Sequence, residues 1–200
     1  MKKEAFLILL IIVAVALLLS FSRLFGTNTA EDARKFFAED LQDSYPDADL
    51  RVINNVTKVG DGPDAYYSLT ASVSSNLSTP CPERLEVEYY YPQRNFVKRA
   101  QKVVYGCKVC INTPKCVITY PEEAIIASHT YEGSQVVKDY LAQYPHAVPN
   151  ATLLADLAGT PNVWEVDWTD PAAPRGLRVL ISQRSNDIVG VQPLPAPAIQ

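Results

Sequence analysis

Seventeen consecutive residues near the N-terminus, AFLILLIIVAVALLLSF (5–21), carry no charge, proline or glycine, and Ser20 is their only polar member. Such a run cannot sit on the surface of a small water-soluble domain. As a helix rising about 1.5 Å per residue it covers about 26 Å, close to the thinnest hydrocarbon core a helix spans. Lys2 and Lys3 precede it and only Arg23 follows closely, so the positive-inside bias places the N-terminus in the cytoplasm. A cleaved signal peptide is the competing reading. Its apolar core is usually shorter and ends in a small-x-small site, for which Ser20-Phe21-Ser22 is a poor match. The expectation is a single-pass protein of the cell membrane. Residues 1–26 form a cytoplasmic stub and a transmembrane anchor, and the bulk of the chain is extracytoplasmic.

Export changes how the four cysteines are read. Cys107, Cys110 and Cys116 fall within ten residues, and Cys81 stands alone between two prolines. Cys107-Lys-Val-Cys110 has metal-ligand spacing, but a four-sulfur zinc site is usually built from two such knuckles and only one exists. A redox dithiol needs Cys-x-x-Cys at a helix N-terminus, where the dipole lowers the thiol pKa, whereas residues 102–120 read as β. Outside the cytoplasm an even count points to two disulfides, and three pairings are possible. Asn112-Thr113-Pro114 reads as a turn that brings Cys110 opposite Cys116, leaving Cys81 for Cys107. Cys107 with Cys110, and Cys81 with Cys116, is the alternative. Neither metal nor cofactor is expected. The sequons at Asn55, Asn76 and Asn150 fit the same compartment and mark expected glycosylation sites.

Beyond residue 23 there are 15 basic and 21 acidic side chains, a net charge of −6. That balance argues against nucleic acid, or an anionic membrane surface, as the main partner.

The chain carries a short internal repeat. Residues 29–48 and 130–147 both run Thr-x-Glu, then an apolar pair (Phe36 and Phe37; Val136 and Val137), then Leu41 or Leu141, then Tyr-Pro-x-Ala. Each copy reads as an amphipathic helix. In the first, Ala33, Phe36, Phe37 and Leu41 recur at helical spacing behind a Thr29/Asp32 capping pair, and Pro46 ends it. In the second, Val136, Val137, Tyr140, Leu141 and Tyr144 form the stripe and Pro145 is the stop. After each helix the apolar period changes to two. Strands are expected over 67–73, 85–91, 164–168, 177–181 and 188–191, with further β structure at 102–105 and 117–120.

A helix across an antiparallel meander, twice, makes an α+β protein stapled by disulfides. The expected divisions are a first unit at 27–120 with a Cys-rich hairpin, a second at 121–192, and an extended, mobile tail at 193–200. The second half resembles the PepSY family: a helix, then a strand like VWEVDW, then LRVLISQRSNDIVGV with its polar turn. It is also similar to the broader cystatin-like helix-on-sheet architecture. The resemblance covers roughly 121–192 and, more faintly, 29–92. It departs from the family's Asp-x-x-Thr-Gly turn, having Asn186-Asp187-Ile188-Val189-Gly190. The resemblance implies an exported, membrane-attached protein with an inhibitory or protein-binding role.

Between Tyr89 and Pro121 the chain has no acidic residue but has Arg94, Lys98, Arg99, Lys102, Lys108 and Lys115, interleaved with Phe96 and Tyr105. Arginine and aromatic side chains favour interfaces, and a basic patch on an acidic domain steers an acidic partner. The alternative is a solvated hairpin whose lysines guard an open edge. Arg94, Phe96, Lys98, Arg99, Lys102 and Tyr105 are the expected binding residues for an unidentified protein or envelope-polymer partner. Catalytic signals are thin. Ser128 and His129 are only sequence neighbours, His146 stands apart, and no nucleophile elbow, phosphate loop or His-Glu-x-x-His occurs. Glu122 and Glu123 read as helix caps, and Trp164 and Trp168 as core. The chain is expected to be a binding module rather than an enzyme. A pilin-like filament subunit, with the apolar helix in the filament core, is the alternative, followed by an extracytoplasmic hydrolase.

Overall fold

The computed structural model describes residues 29–62, 65–92, 99–110, 116–185 and 187–194. The segment 5–21 lies outside these, and among the described residues no helix is long and apolar enough to cross a membrane. Two four-stranded antiparallel sheets, both simple meanders, each follow helical structure. Helix α1 (Ala30–Ser44) leads into β1 (Leu50–Val59), β2 (Tyr66–Ser75), β3 (Glu83–Tyr91) and β4 (Arg99–Val104). Helices α2 (Pro121–Thr130) and α3 (Gln135–Gln143) lead into β5 (Val148–Leu157), β6 (Thr160–Thr169), β7 (Leu177–Ser182) and β8 (Ile188–Pro193).

Helix α1 starts where its cap chemistry dictates. Asp32 N–H donates to Thr29 Oγ1 (3.1 Å) and Thr29 N–H donates back to Asp32 Oδ2 (3.0 Å). Those bonds, with Thr29 as the main source, hold the Asp32 carboxyl below its ordinary value. Ala33, Phe37 and Leu41 face Leu69, Ala71, Val73, Val87 and Tyr89, forming the first core. Each large side chain so buried stabilises by about 1.5–3 kcal/mol. Phe37 meets the edge of Tyr89 at 4.0 Å between centroids. The Tyr89 hydroxyl donates to Asp40, and burial, reinforced by that carboxylate, pushes the phenol above its ordinary pKa.

The repeat survives as geometry. In both copies the helix ends on a tyrosine whose N–H bonds back into the last turn, Tyr45 to Leu41 and Tyr144 to Tyr140. The proline follows, and the alanine N–H then closes onto the tyrosine carbonyl (3.2 Å for Ala48, 3.1 Å for Ala147). In the apolar pairs the first member is exposed, Phe36 at 40% and Val136 at 55%, and the second, Phe37 or Val137, is fully buried.

The start of the second copy differs from expectation. Thr130 does not open a helix; it closes α2, with its hydroxyl donating to Ile126 O. Gly133, at φ 85°, takes the left-handed turn that separates α2 from α3, and Ser134 becomes the cap residue. Of the expected stripe only Val137 is buried. Residues 117–120 are not a strand, although Ile118 N–H bonds to Gln183 O at 3.2 Å. The other expected strands form, and β1 and β5 join them as edge strands that the sequence did not announce.

The second core gathers Ala124, Ile125, Ala127 and Val137 against Trp164, Val166, Trp168, Val179 and Ile181. Both indoles find acceptors: Trp164 Nε1 donates to Ile118 O and Trp168 Nε1 to Ser128 Oγ, each at 3.0 Å.

Candidate functional site

Helix α2 is buried on both sides. One side, Ala124, Ile125 and Ala127, belongs to the second core. The other side projects Glu122, Ile126 and His129, spaced one turn apart, onto the first unit. There Glu122 and Ile126 meet one row across the outer face of the first sheet, Ser74, Arg84 and Val104, which are partners in the strand register. Ile126 packs with Val104 and Val109. The Ser74 hydroxyl donates to Glu122 Oε1, and Arg84 Nη1 lies 3.5 Å from the same oxygen. Arg84 also donates to Glu86 Oε1 through Nε (3.0 Å) and Nη2 (2.9 Å), and stacks 4.1 Å over the Tyr120 ring. Glu122 is 1% exposed and its Oε2 has no hydrogen-bond partner. Only Glu123 performs the expected capping, accepting from Thr119 N–H (2.6 Å) and Tyr120 N–H (3.0 Å). Glu122 instead links the two units through polar contacts.

Beside this link stand the staples. The disulfides are Cys81–Cys107 and Cys110–Cys116, with Cα separations of 4.8 and 5.4 Å. Cys107 and Cys110 both occupy the left-handed region, at φ 55° and 54°. His129 reaches the first staple from α2. Its Nε2 lies 2.7 Å from Pro80 O and 3.9 Å from Cys107 Sγ. A carbonyl only accepts, so Nε2 carries the proton. Burial pushes the His129 pKa below its ordinary value, partly opposed by the Pro80 bond. The ligand atoms of Cys81, Cys107 and His129 all lie within 4.8 Å of one another. Both sulfurs are engaged in the disulfide, so this form offers no thiolate to a metal. Ser128 is fully buried, donates to Ile125 O and accepts from Trp168, so it is a core hydroxyl and not a partner of His129.

The expected binding residues separate. Arg94, Phe96 and Lys98 lie outside the described residues. Arg99 and Lys102 lie on opposite faces of β4, opposite Glu88 and Leu85 respectively. Lys102 approaches Glu83 at 3.9 Å and sits 5.8 Å from the centre of the Tyr105 ring. Among the described residues β4 pairs only with β3, so its far side is an open edge. Asn55, Asn76 and Asn150 are all exposed, and Asn55 Nδ2 donates to Thr57 Oγ1 at 2.9 Å.

Two clefts are commonplace in lining. One of about 300 Å³ runs between α1 and β1, but Arg51 there donates to Tyr45 O and Pro46 O, and Asp49 accepts from Leu77 N–H. The other, about 190 Å³, is lined by Cys110, Tyr131, Glu132 and Asp187, and burial pushes the Tyr131 phenol up to about 12.

Fold and site together define a two-unit, disulfide-stapled helix-on-meander protein whose halves share one buried helix. No family model matches the chain, and neither does any curated protein. The expected PepSY resemblance therefore has no matching family model behind it. A solved structure, described as a "putative lipoprotein" from Clostridium difficile 630, is similar at 11% identity over 82% of this chain and 91% of that one. Its TM-score is 0.23, too slight a likeness to bear on fold or function.

Proposed function

We propose that the chain is an extracytoplasmic binding module, held to the cell membrane by residues 5–21 with its N-terminus in the cytoplasm. The observation that carries this reading is the open edge of β4. Arg99 and Lys102 are exposed on this strand, and Tyr105 (57%) and Lys108 just beyond its end, on a domain of net negative charge. An unpaired edge offers main-chain donors and acceptors for strand addition, and its cations favour an acidic protein or envelope polymer. The disulfides and the exposed sequon asparagines support an exported, glycosylated ectodomain.

A photo-crosslinker at position 105 on intact cells, followed by mass spectrometry, should yield a discrete partner adduct. Arg99→Glu with Lys102→Glu should abolish that adduct while leaving the melting temperature unchanged. An undiminished adduct in the double variant would sink the proposal.

A further inference from the structure

The two ends of the first sheet have different neighbours. One end is the row Ser74–Arg84–Val104, which the second unit covers through α2. The other lies eight residues away along β2, about 26 Å. The strand register assembles it from the end of β1, the start of β2, the end of β3 and the start of β4. Here Tyr66 meets Tyr90 edge-on at 5.5 Å, and Phe36 of α1 tilts against Tyr91 at 5.2 Å. Phe36 is 40% exposed and the three tyrosines are half-buried. Lys58 and Arg99 stand exposed beside them. The equivalent end of the second sheet, at the turns 157–160 and 182–188, carries no aromatic residue.

The chain enters the fold at this aromatic end. The N-terminal half of α1 is the part that touches Tyr91, while its C-terminal end lies by Arg51 at the start of β1. Seven residues separate Phe21 from Thr29. Even fully extended they reach about 25 Å, which bounds how far the end of the apolar run lies from Thr29 at the start of α1. Tyrosine with an apolar body and a polar tip collects at the headgroup level of bilayers, and lysine and arginine reach from there to lipid phosphates.

We propose that this end of the first unit rests in the phospholipid headgroup layer, so that the ectodomain stands on its first sheet and holds the second unit away from the bilayer. The inference rests on reading 5–21 as the anchor. With a net charge of −6 the ectodomain is not drawn to lipid by charge. The tether supplies the local concentration, and the rings supply the contact.

The test uses the full-length chain in native membranes, with benzoylphenylalanine placed singly by Tyr66→benzoylphenylalanine, Lys58→benzoylphenylalanine and Leu157→benzoylphenylalanine. Alkaline carbonate washing reads the anchor separately. The expected result is a chain retained in the pellet, with phospholipid adducts at 58 and 66 at least tenfold above those at 157. Lys58 is an exposed site that keeps the test valid if the Tyr66 variant misfolds. Retention with equal or absent adducts overturns the docking proposal and leaves the anchor standing. Release by carbonate overturns the anchor reading, and the docking proposal with it.

Discussion

The first unit has one helix and a phenylalanine–tyrosine core; the second has two helices and a tryptophan core. The difference lies in how each sheet manages its outer face. On the second sheet Arg178 sits between Glu165 (2.9 Å) and Asp167 (2.7 Å), a polar arrangement that leaves that face complete in water. The same pair, with Asp167 foremost, pushes the Arg178 guanidinium above its ordinary pKa. On the first sheet Val104 and Arg84 need a cover, and α2 of the second unit provides it. Dependence should run one way: the second unit stands alone, and the first needs its neighbour.

The largest effect should come from Trp168→Ala, which empties the second core and leaves Ser128 without its donor. A loss of about 3–5 kcal/mol is expected. Hydrogen exchange should accelerate in β2 and β3 as well as in β6. Phe37→Ala should cost a similar amount but leave β6 protected. Equal spread from both variants would refute the one-way dependence.

The staples come next. On the chain-entropy model, replacing Cys81 and Cys107 by serine, with a loop separation of 26 residues, should cost about 3.6 kcal/mol. Losing Cys110–Cys116, with a separation of 6, should cost about 2.4 kcal/mol. Chemical denaturation of the two double variants ranks them; the reverse order would show that loop length does not set their relative contributions.

Arg84→Ala should cost about 3 kcal/mol by leaving the buried Glu122 carboxylate without its cation. Adding Glu122→Leu should restore most of the loss. Additive losses in that double-mutant cycle would mean that the two side chains are not coupled. A smaller effect, about 1 kcal/mol, is expected for Thr29→Ala at the α1 cap, read as a shift in melting temperature confined to the first unit.

The smallest effect is a pH slope. Burial holds folded His129 below the ordinary value of 6.5, so the unfolded chain takes up a proton first as pH falls. The contribution is intact above about pH 6.5 and is lost as the pH drops through the lower folded value. Thermal melts between pH 7.5 and 5 should show a decline that His129→Gln flattens; an unchanged slope would assign it to other groups.

Much of this plan was legible. Alternation exposed β2, β3, β6 and β7, because one face of each strand is buried and the other is polar. The repeated Tyr-Pro-x-Ala marked both helix ends, and the Asn-Thr-Pro turn favoured the observed cysteine pairing. What stayed hidden has identifiable causes. In β1 the register shifts between Ile53 and Asn55, so LRVINNVTKV loses its alternation at the bulge. In β5 Pro149 and an apolar pair, Leu153 and Leu154, blur the period. Helix α2 gave no amphipathic signal because both of its sides are covered, and Glu122 imitated a cap because it follows Pro121. The tie between the units needed three dimensions. Ser74 and Glu122 lie 48 residues apart, and nothing in either neighbourhood names the other.

A helix claimed by two cores also sets an order of events. The first sheet is complete in sequence by residue 104, but its cover begins only at Pro121. In a chain that emerges with its N-terminal part leading, the first unit waits with Val104 facing water and Arg84 held only by Glu86. A chain arrested at that stage presents a small adhesive surface to chaperones or to another arrested copy. The emergence of α2 is the moment at which that surface closes.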